Sequence, residues 1–275
     1  MRVFLIAAAA ATFVASGTAL PADLPVKAPP LAPPPPTWTG FYVGVNGGWG
    51  WANNINNAAS FATTGVVGAP LAATGVTFDQ NPNGAIFGGQ IGYNWQWTNW
   101  VFGLEGDFDG ANIQNARSAI SNAVISNDTL PVGASASEKV EWLATIRARI
   151  GYSWNGGWGP SLFYVTGGGA WEKVDFRGNA FLNTSDLTEG PMIVGAADFN
   201  QTKSGWVAGV GYEHMINPQW TVRAEYLHYG FSNNTTTTAV QSPILLQGTA
   251  TGSITETWKL PNIDVVRVGV NFKFY

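Results

Sequence analysis

Glu105 and Asp107 are carboxylates two positions apart, and such a pair is the minimal equipment for general acid–base chemistry. Arg147 and Arg149 repeat that spacing. Guanidinium groups facing the two carboxylates would keep both ionised, so a structural ion-pair network accounts for these four residues better than a proton donor and acceptor. The remaining chemistry is sparse. The chain has two histidines, His214 and His228, and no cysteine. No Ser–His–Asp array can be built around them, and thiolate metal sites and disulfides are excluded. Gly47-Gly48 and Gly167-Gly168-Gly169 lack the lysine and helix of a phosphate-binding loop. No catalytic residue, cofactor or metal site is expected. With 13 Lys+Arg against 17 Asp+Glu, the chain also lacks the basic balance of a nucleic-acid binder.

The elements that carry these residues alternate with a period of two. Phe87, Ile91, Tyr93, Trp95 and Trp97 share one face of a strand, and Gly88, Gln90, Gly92, Asn94 and Gln96 share the other. Further on, Val140, Trp142, Ala144, Ile146, Ala148, Ile150, Tyr152 and Trp154 alternate with Glu141, Leu143, Thr145, Arg147, Arg149, Gly151 and Ser153. Eight such segments are expected, at about 38–51, 85–97, 100–109, 139–154, 161–177, 203–217, 220–231 and 258–274. The fifth has apolar residues on both faces, which leaves its register open. Short turns at Thr98-Asn99, Asn155 to Pro160 and Asn217-Pro218-Gln219 alternate with long connections at 52–84, 110–138, 178–202 and 232–257. That asymmetry is the mark of an antiparallel transmembrane β-barrel with short periplasmic turns and four long external loops. An even strand count puts both chain ends on the short-turn side.

Composition agrees. Only 11% of residues are charged while Trp numbers 13, where a soluble domain carries roughly a quarter charged residues. A lipid-facing surface explains the deficit. Trp95, Trp97, Trp100, Tyr152, Trp154, Trp158 and Trp220 cluster at the short turns, as an interfacial girdle would. His214 and His228 fall on the same outward face by alternation, a placement at the membrane interface rather than a ligand role. The N-terminus supplies a route out of the cell. Met1-Arg2 and the apolar run Val3 to Ala15 read as a signal peptide over 1–22, with cleavage at Ala19 or Ala22. A Pro-rich extended linker over 23–37 then leads to the barrel at 38–275. The implied localisation is the bacterial outer membrane, with its lipid and the barrel-insertion machinery as partners.

With Lys139 counted to the long connection it borders, the strand segments carry nine acidic and nine basic residues, whereas the long connections carry seven acidic against two basic. Buried charges are tolerated when paired. Neutral strands therefore predict an ion-pair network in the lumen made of Glu105, Asp107, Glu141, Arg147, Arg149, Arg223, Glu225 and Arg267. Eight strands enclose an interior just wide enough for side chains to fill, which favours a plug of salt bridges over an open pore.

Trp38-Thr39-Gly40-Phe41-Tyr42-Val43-Gly44 after a Pro-rich stretch, with Gly47-Gly48-Trp49-Gly50-Trp51, resembles the opening strand of the small outer-membrane immunogenic barrels of alphaproteobacteria. Val222-Arg223-Ala224-Glu225-Tyr226-Leu227 and Val266 to Phe274 resemble its last two strands. The resemblance runs from Trp38 to the C-terminus. It implies an OmpA-like barrel with exposed antigenic loops, and some relatives are described as haem-binding or porin-like. It also implies a C-terminal aromatic insertion signal, carried here by Phe272, Phe274 or Tyr275, the last lying one residue beyond the alternation. The expected function is a structural barrel contributing to envelope integrity and surface interaction. A narrow porin for small polar solutes, or haem or host-surface binding, is the alternative. No histidine or tyrosine lies in the four long connections to favour haem.

Overall fold

Strand twist and stagger close the sheet on itself, so that its first and last strands pair. The computed structural model describes residues 36–52, 55–64, 74–125, 128–182, 192–231, 240–245, 249–257 and 262–274. The chain divides into Met1–Pro35 and Pro36–Tyr275, and the expected signal peptide and nearly all of the linker lie outside the described residues. Among the described residues twelve strands follow in order: β1 Gly40–Ala52, β2 Ile55–Thr64, β3 Thr74–Gln80, β4 Asn83–Trp97, β5 Trp100–Ile125 and β6 Asp128–Gly156. Then come β7 Gly159–Leu182, β8 Met192–Met215, β9 Trp220–Phe231, β10 Val240–Leu245, β11 Thr249–Thr257 and β12 Ile263–Lys273.

Eight of them form a closed antiparallel barrel, β1-β12-β9-β8-β7-β6-β5-β4. These are the eight expected from alternation. Closure runs from Tyr42 opposite Lys273 to Ala52 opposite Ile263, so no edge strand is left in the wall. The aromatics at the short turns point outward, with Trp95, Trp97 and Trp158 at 62%, 67% and 95% exposure. A second aromatic set lies further along the wall at Trp49, Trp142, Trp171 and Trp206.

Two features differ from the expected pattern. The connections at 110–138 and 178–202 are largely strand, because β5 to β8 continue well past the second aromatic set. Ser, Ala and Asn dominate residues 115–137, so no greasy face announces the strand there. The connections at 52–84 and 232–257 contribute β2, β3, β10 and β11, a separate four-stranded sheet in the order β10-β11-β2-β3. β3 runs alongside β5 and β10 alongside β8, so this sheet flanks both edges of the extension.

The second difference is a β-bulge. The register shifts between Val140 and Trp142, opposite another shift between Gly110 and Ile113. One extra residue flips every side chain beyond it. Leu143, Thr145, Arg147 and Arg149 point inward below the bulge, but above it Val140 and Glu138 do so. Val140 is therefore a lumen residue, not a partner of Trp142 on the outer face.

Candidate functional site

The lumen is the place where this fold gathers its charges, and its contents are layered. Nearest the short turns lie Trp38, Val101, Leu162, Tyr164 and Met215, all buried. Trp38 precedes β1 and folds into the barrel mouth, where its indole Nε1 donates to Ser153 Oγ at 2.7 Å. The Lys273 ammonium donates to the Thr37 carbonyl beside it. Above this sits an ionic layer, and above that an apolar one containing Leu143, Val207, Leu227, Tyr229, Ile263 and Val265. Glu172 is buried between Ala170 and Val174 on β7, with the buried Lys203 opposite it, and Glu138 is buried beyond Val140.

The ionic layer follows from period-two geometry, since inward positions of adjacent strands stack at the same level. Arg147 lies opposite Glu105 in the β5–β6 ladder, and Arg267 opposite Glu225 in β9–β12. Arg147 Nη2 meets Glu105 Oε1 at 2.5 Å and Asp107 Oδ2 at 2.8 Å. Arg223 bridges Glu105 at 2.5 Å and Glu225 at 3.2 Å. Arg267 reaches Glu225 at 2.8 Å, Asp109 at 2.7 Å and Asp107 at 3.2 Å. Arg149 pairs with Glu213 at 3.1 Å, and its guanidinium carbon lies 4.9 and 5.0 Å from the Tyr42 and Tyr164 ring centres. The Tyr42 hydroxyl donates to Glu105 at 2.6 Å and that of Tyr164 to Glu225 at 2.8 Å. Each carboxylate is thus held by more than one donor, the condition under which charges can leave water.

A family model described as an outer membrane protein beta-barrel domain matches residues 6–274. The chain belongs to this outer-membrane β-barrel family. It is 31% identical over 279 residues to the 31 kDa outer-membrane immunogenic protein of Brucella melitensis, covering all of both chains. It is 27% identical to the 25 kDa outer-membrane immunogenic protein of Brucella abortus, over 98% of this chain and 97% of that one. Among solved structures, OprG of Pseudomonas aeruginosa matches 86% of this chain and 97% of its own at 13% identity, with a TM-score of 0.36. The protein is an outer-membrane protein, and its outward wall faces lipid.

Seven of the eight residues expected in the lumen network meet there: Glu105, Asp107, Arg147, Arg149, Arg223, Glu225 and Arg267. Glu141 does not. Its carboxylate pairs with Lys173 at 2.8 Å with a third of the side chain exposed, because it is the residue at the bulge. Asp109 and Glu213 complete the network and were not among the expected residues. Their signal was present: Asp109 continues the Glu105–Asp107 alternation, and Glu213 stands between the outward Tyr212 and His214. Both histidines sit on the wall, outside the lumen. His214 Nδ1 lies 3.1 Å from Ser161 Oγ, and His228 Nδ1 lies 2.7 Å from Asp264 Oδ1. Phe272 and Phe274 continue the outward face of β12, with ring centres 5.3 Å apart, and Tyr275 lies outside the described residues.

The Trp38 contact yields a direct test. Trp38→Phe preserves most of the packing but strands the buried Ser153 hydroxyl, a loss of about 1–3 kcal/mol. Urea unfolding in detergent should show a lower midpoint for Trp38→Phe than for wild type, and Trp38→Phe with Ser153→Ala should recover part of it. Equal midpoints would mean that the mouth of the barrel is wet.

Proposed function

We propose that this protein is a structural barrel of the outer membrane, closed to solutes, which presents a β-rich platform to the exterior. The observation that carries this reading is the continuous filling of the lumen by an apolar layer, an ionic layer and a second apolar layer. A solute path needs water along its length. Here Leu143, Leu227 and Val265 are fully buried across the barrel, and Arg147 and Arg267 are fully buried beneath them. The platform is the extension of β5 to β8 together with the flanking sheet of β2, β3, β10 and β11. Its support as a surface for recognition comes from the relatives named outer-membrane immunogenic proteins. The outward Phe272 and Phe274 are suited to act as the signal read by the insertion machinery during assembly.

Planar-bilayer recording of the purified, folded barrel tests the closed lumen. No discrete conductance steps are expected. Steps that shift in size on Arg147→Gln would instead assign the narrow-porin reading. Antibody labelling of an epitope inserted at residues 126–127, the β5–β6 connection, should mark intact cells if the extension faces outward.

A further inference from the structure

The outer wall carries a feature that membrane spanning alone does not require. Outward residues of β1, β12, β9 and β8 lie in rows set by the strand registers. One row reads Gly47, Val268, Ala224 and Tyr212, and the next one inward toward the short turns reads Val45, Val270, Val222 and His214. Gly47 and Ala224 contribute almost no side chain, so these rows sink into a groove of about 500 Å³ between Val268, Val270, Val222 and Tyr212. That volume is within the roughly 300–1,000 Å³ of ordinary ligand sites. Because it opens on the lipid-facing wall, its natural content is an acyl chain.

Two rows further out the wall becomes polar. Trp51, Asp264, His228 and Ala208 stand side by side there, above the row holding Trp49 and Tyr226. Asp264 Oδ1 accepts from the Tyr226 hydroxyl at 2.7 Å and lies 2.7 Å from His228 Nδ1. The Trp206 ring centre is 5.5 Å from that of His228, and Trp206 is half exposed. Among the described residues, Asp264 Oδ2 and His228 Nε2 take no hydrogen bond, so one acceptor and one imidazole nitrogen are left for a ligand. A carboxylate on a lipid-facing wall is tolerated close to the interface, and the second aromatic set marks that interface.

We propose that this strip is a binding site for one lipid with an uncharged, sugar-bearing headgroup. The acyl chain lies in the groove at Gly47 and Ala224. The sugar sits against Trp206, with hydroxyls donating to Asp264 and exchanging a hydrogen bond with His228 Nε2. An exposed indole face beside a carboxylate and an imidazole suits a sugar, which has apolar C–H faces edged by hydroxyls. The Asp264 carboxylate repels an anionic headgroup, which decides against a phosphate-headed lipid.

The test is native mass spectrometry of the folded barrel, released from detergent after incubation with monogalactosyl diacylglycerol or phosphatidylglycerol of matched chains. Wild type should retain the galactolipid in preference by about tenfold, the scale of one or two hydrogen bonds. Gly47→Leu should lose retention of both lipids. A Cβ at Gly47 meets nothing closer than the Ile86 carbonyl oxygen at 3.8 Å, so the added side chain fills the groove without distorting the wall. His228→Ala with Asp264→Asn should keep chain binding and lose the headgroup preference. A gel shift between unheated and boiled samples establishes that each variant is folded. Equal retention of both lipids by wild type, or retention undiminished in Gly47→Leu, overturns the proposal. So does a lipid-free dimer of wild type that Gly47→Leu dissolves, which would give the groove to a second copy of the chain.

Discussion

Arg147→Ala is expected to lower the urea midpoint of the barrel more than any single truncation among the charged side chains outside the lumen. The Arg147 side chain is fully buried and serves Glu105, Asp107 and Glu225 at 2.5, 2.8 and 3.5 Å. Removing it leaves three buried carboxylates short of a partner. Breaking a buried pair from one side costs roughly 3–5 kcal/mol, most of it the desolvation of the charge left behind. Arg223 and Arg267 still hold Glu105 and Glu225, which places the result inside that range rather than above it. Glu105→Gln added to Arg147→Ala should restore part of the loss by removing one uncompensated charge. Arg147→Lys should not rescue fully, since a single ammonium cannot span three carboxylates as a forked guanidinium does. The control is Arg177→Ala, whose partner Asp175 is 3.9 Å away on an exposed surface and whose removal should change little. Tryptophan fluorescence against urea in one detergent compares all of them. If Arg147→Ala matches Arg177→Ala, water replaces the guanidinium and the lumen is wet.

The wall of this barrel was legible because lipid imposes a strict rule on the outer face. His228, Tyr226, Ala224 and Val222 share that face, as alternation required. The lumen was less legible, because a polar inner face was the wrong template. Leu162, Tyr164, Ala170 and Val174 of β7 all point inward, into the two apolar layers. That is why β7 showed apolar residues on both faces and gave no register from sequence. The same cause hid Leu143 and Leu227, which interrupt the charged alternation of their strands. Glu141 was misplaced for another reason. A bulge shifts the period by one residue, and the run of Val140 to Trp154 carries no glycine or proline at that point to signal it. The extensions of β5 to β8 look like connections in the sequence because neither of their faces carries a continuous apolar run. Seven members of the ionic layer were nonetheless recoverable, since each sits one register step from an opposite charge.

Leu143→Ala should destabilise the barrel by about 2–5 kcal/mol without opening it. Leu143 is fully buried in the apolar layer, so truncation removes both its transfer energy and its packing against the layer's other side chains. The cavity it leaves faces Asp109 across the β5–β6 ladder, close to the Arg267 guanidinium that holds Asp109 at 2.7 Å. The ionic layer therefore still fills the section below, and bilayer recordings of Leu143→Ala should stay silent. Leu143→Asp should be worse for folding than Leu143→Ala, because a second carboxylate would then stand beside Asp109 with no added cation. Combining Leu143→Ala with Arg267→Ala empties adjacent sections of both layers, and in the fraction that folds it is the variant expected to conduct. Conductance in Leu143→Ala alone would mean that the apolar layer is the sole seal and that the charges beneath it are solvated. Silence in Leu143→Ala with a lowered urea midpoint would separate the two roles of the layer: it stabilises the fold by itself, but it closes the lumen only jointly with the ion pairs below.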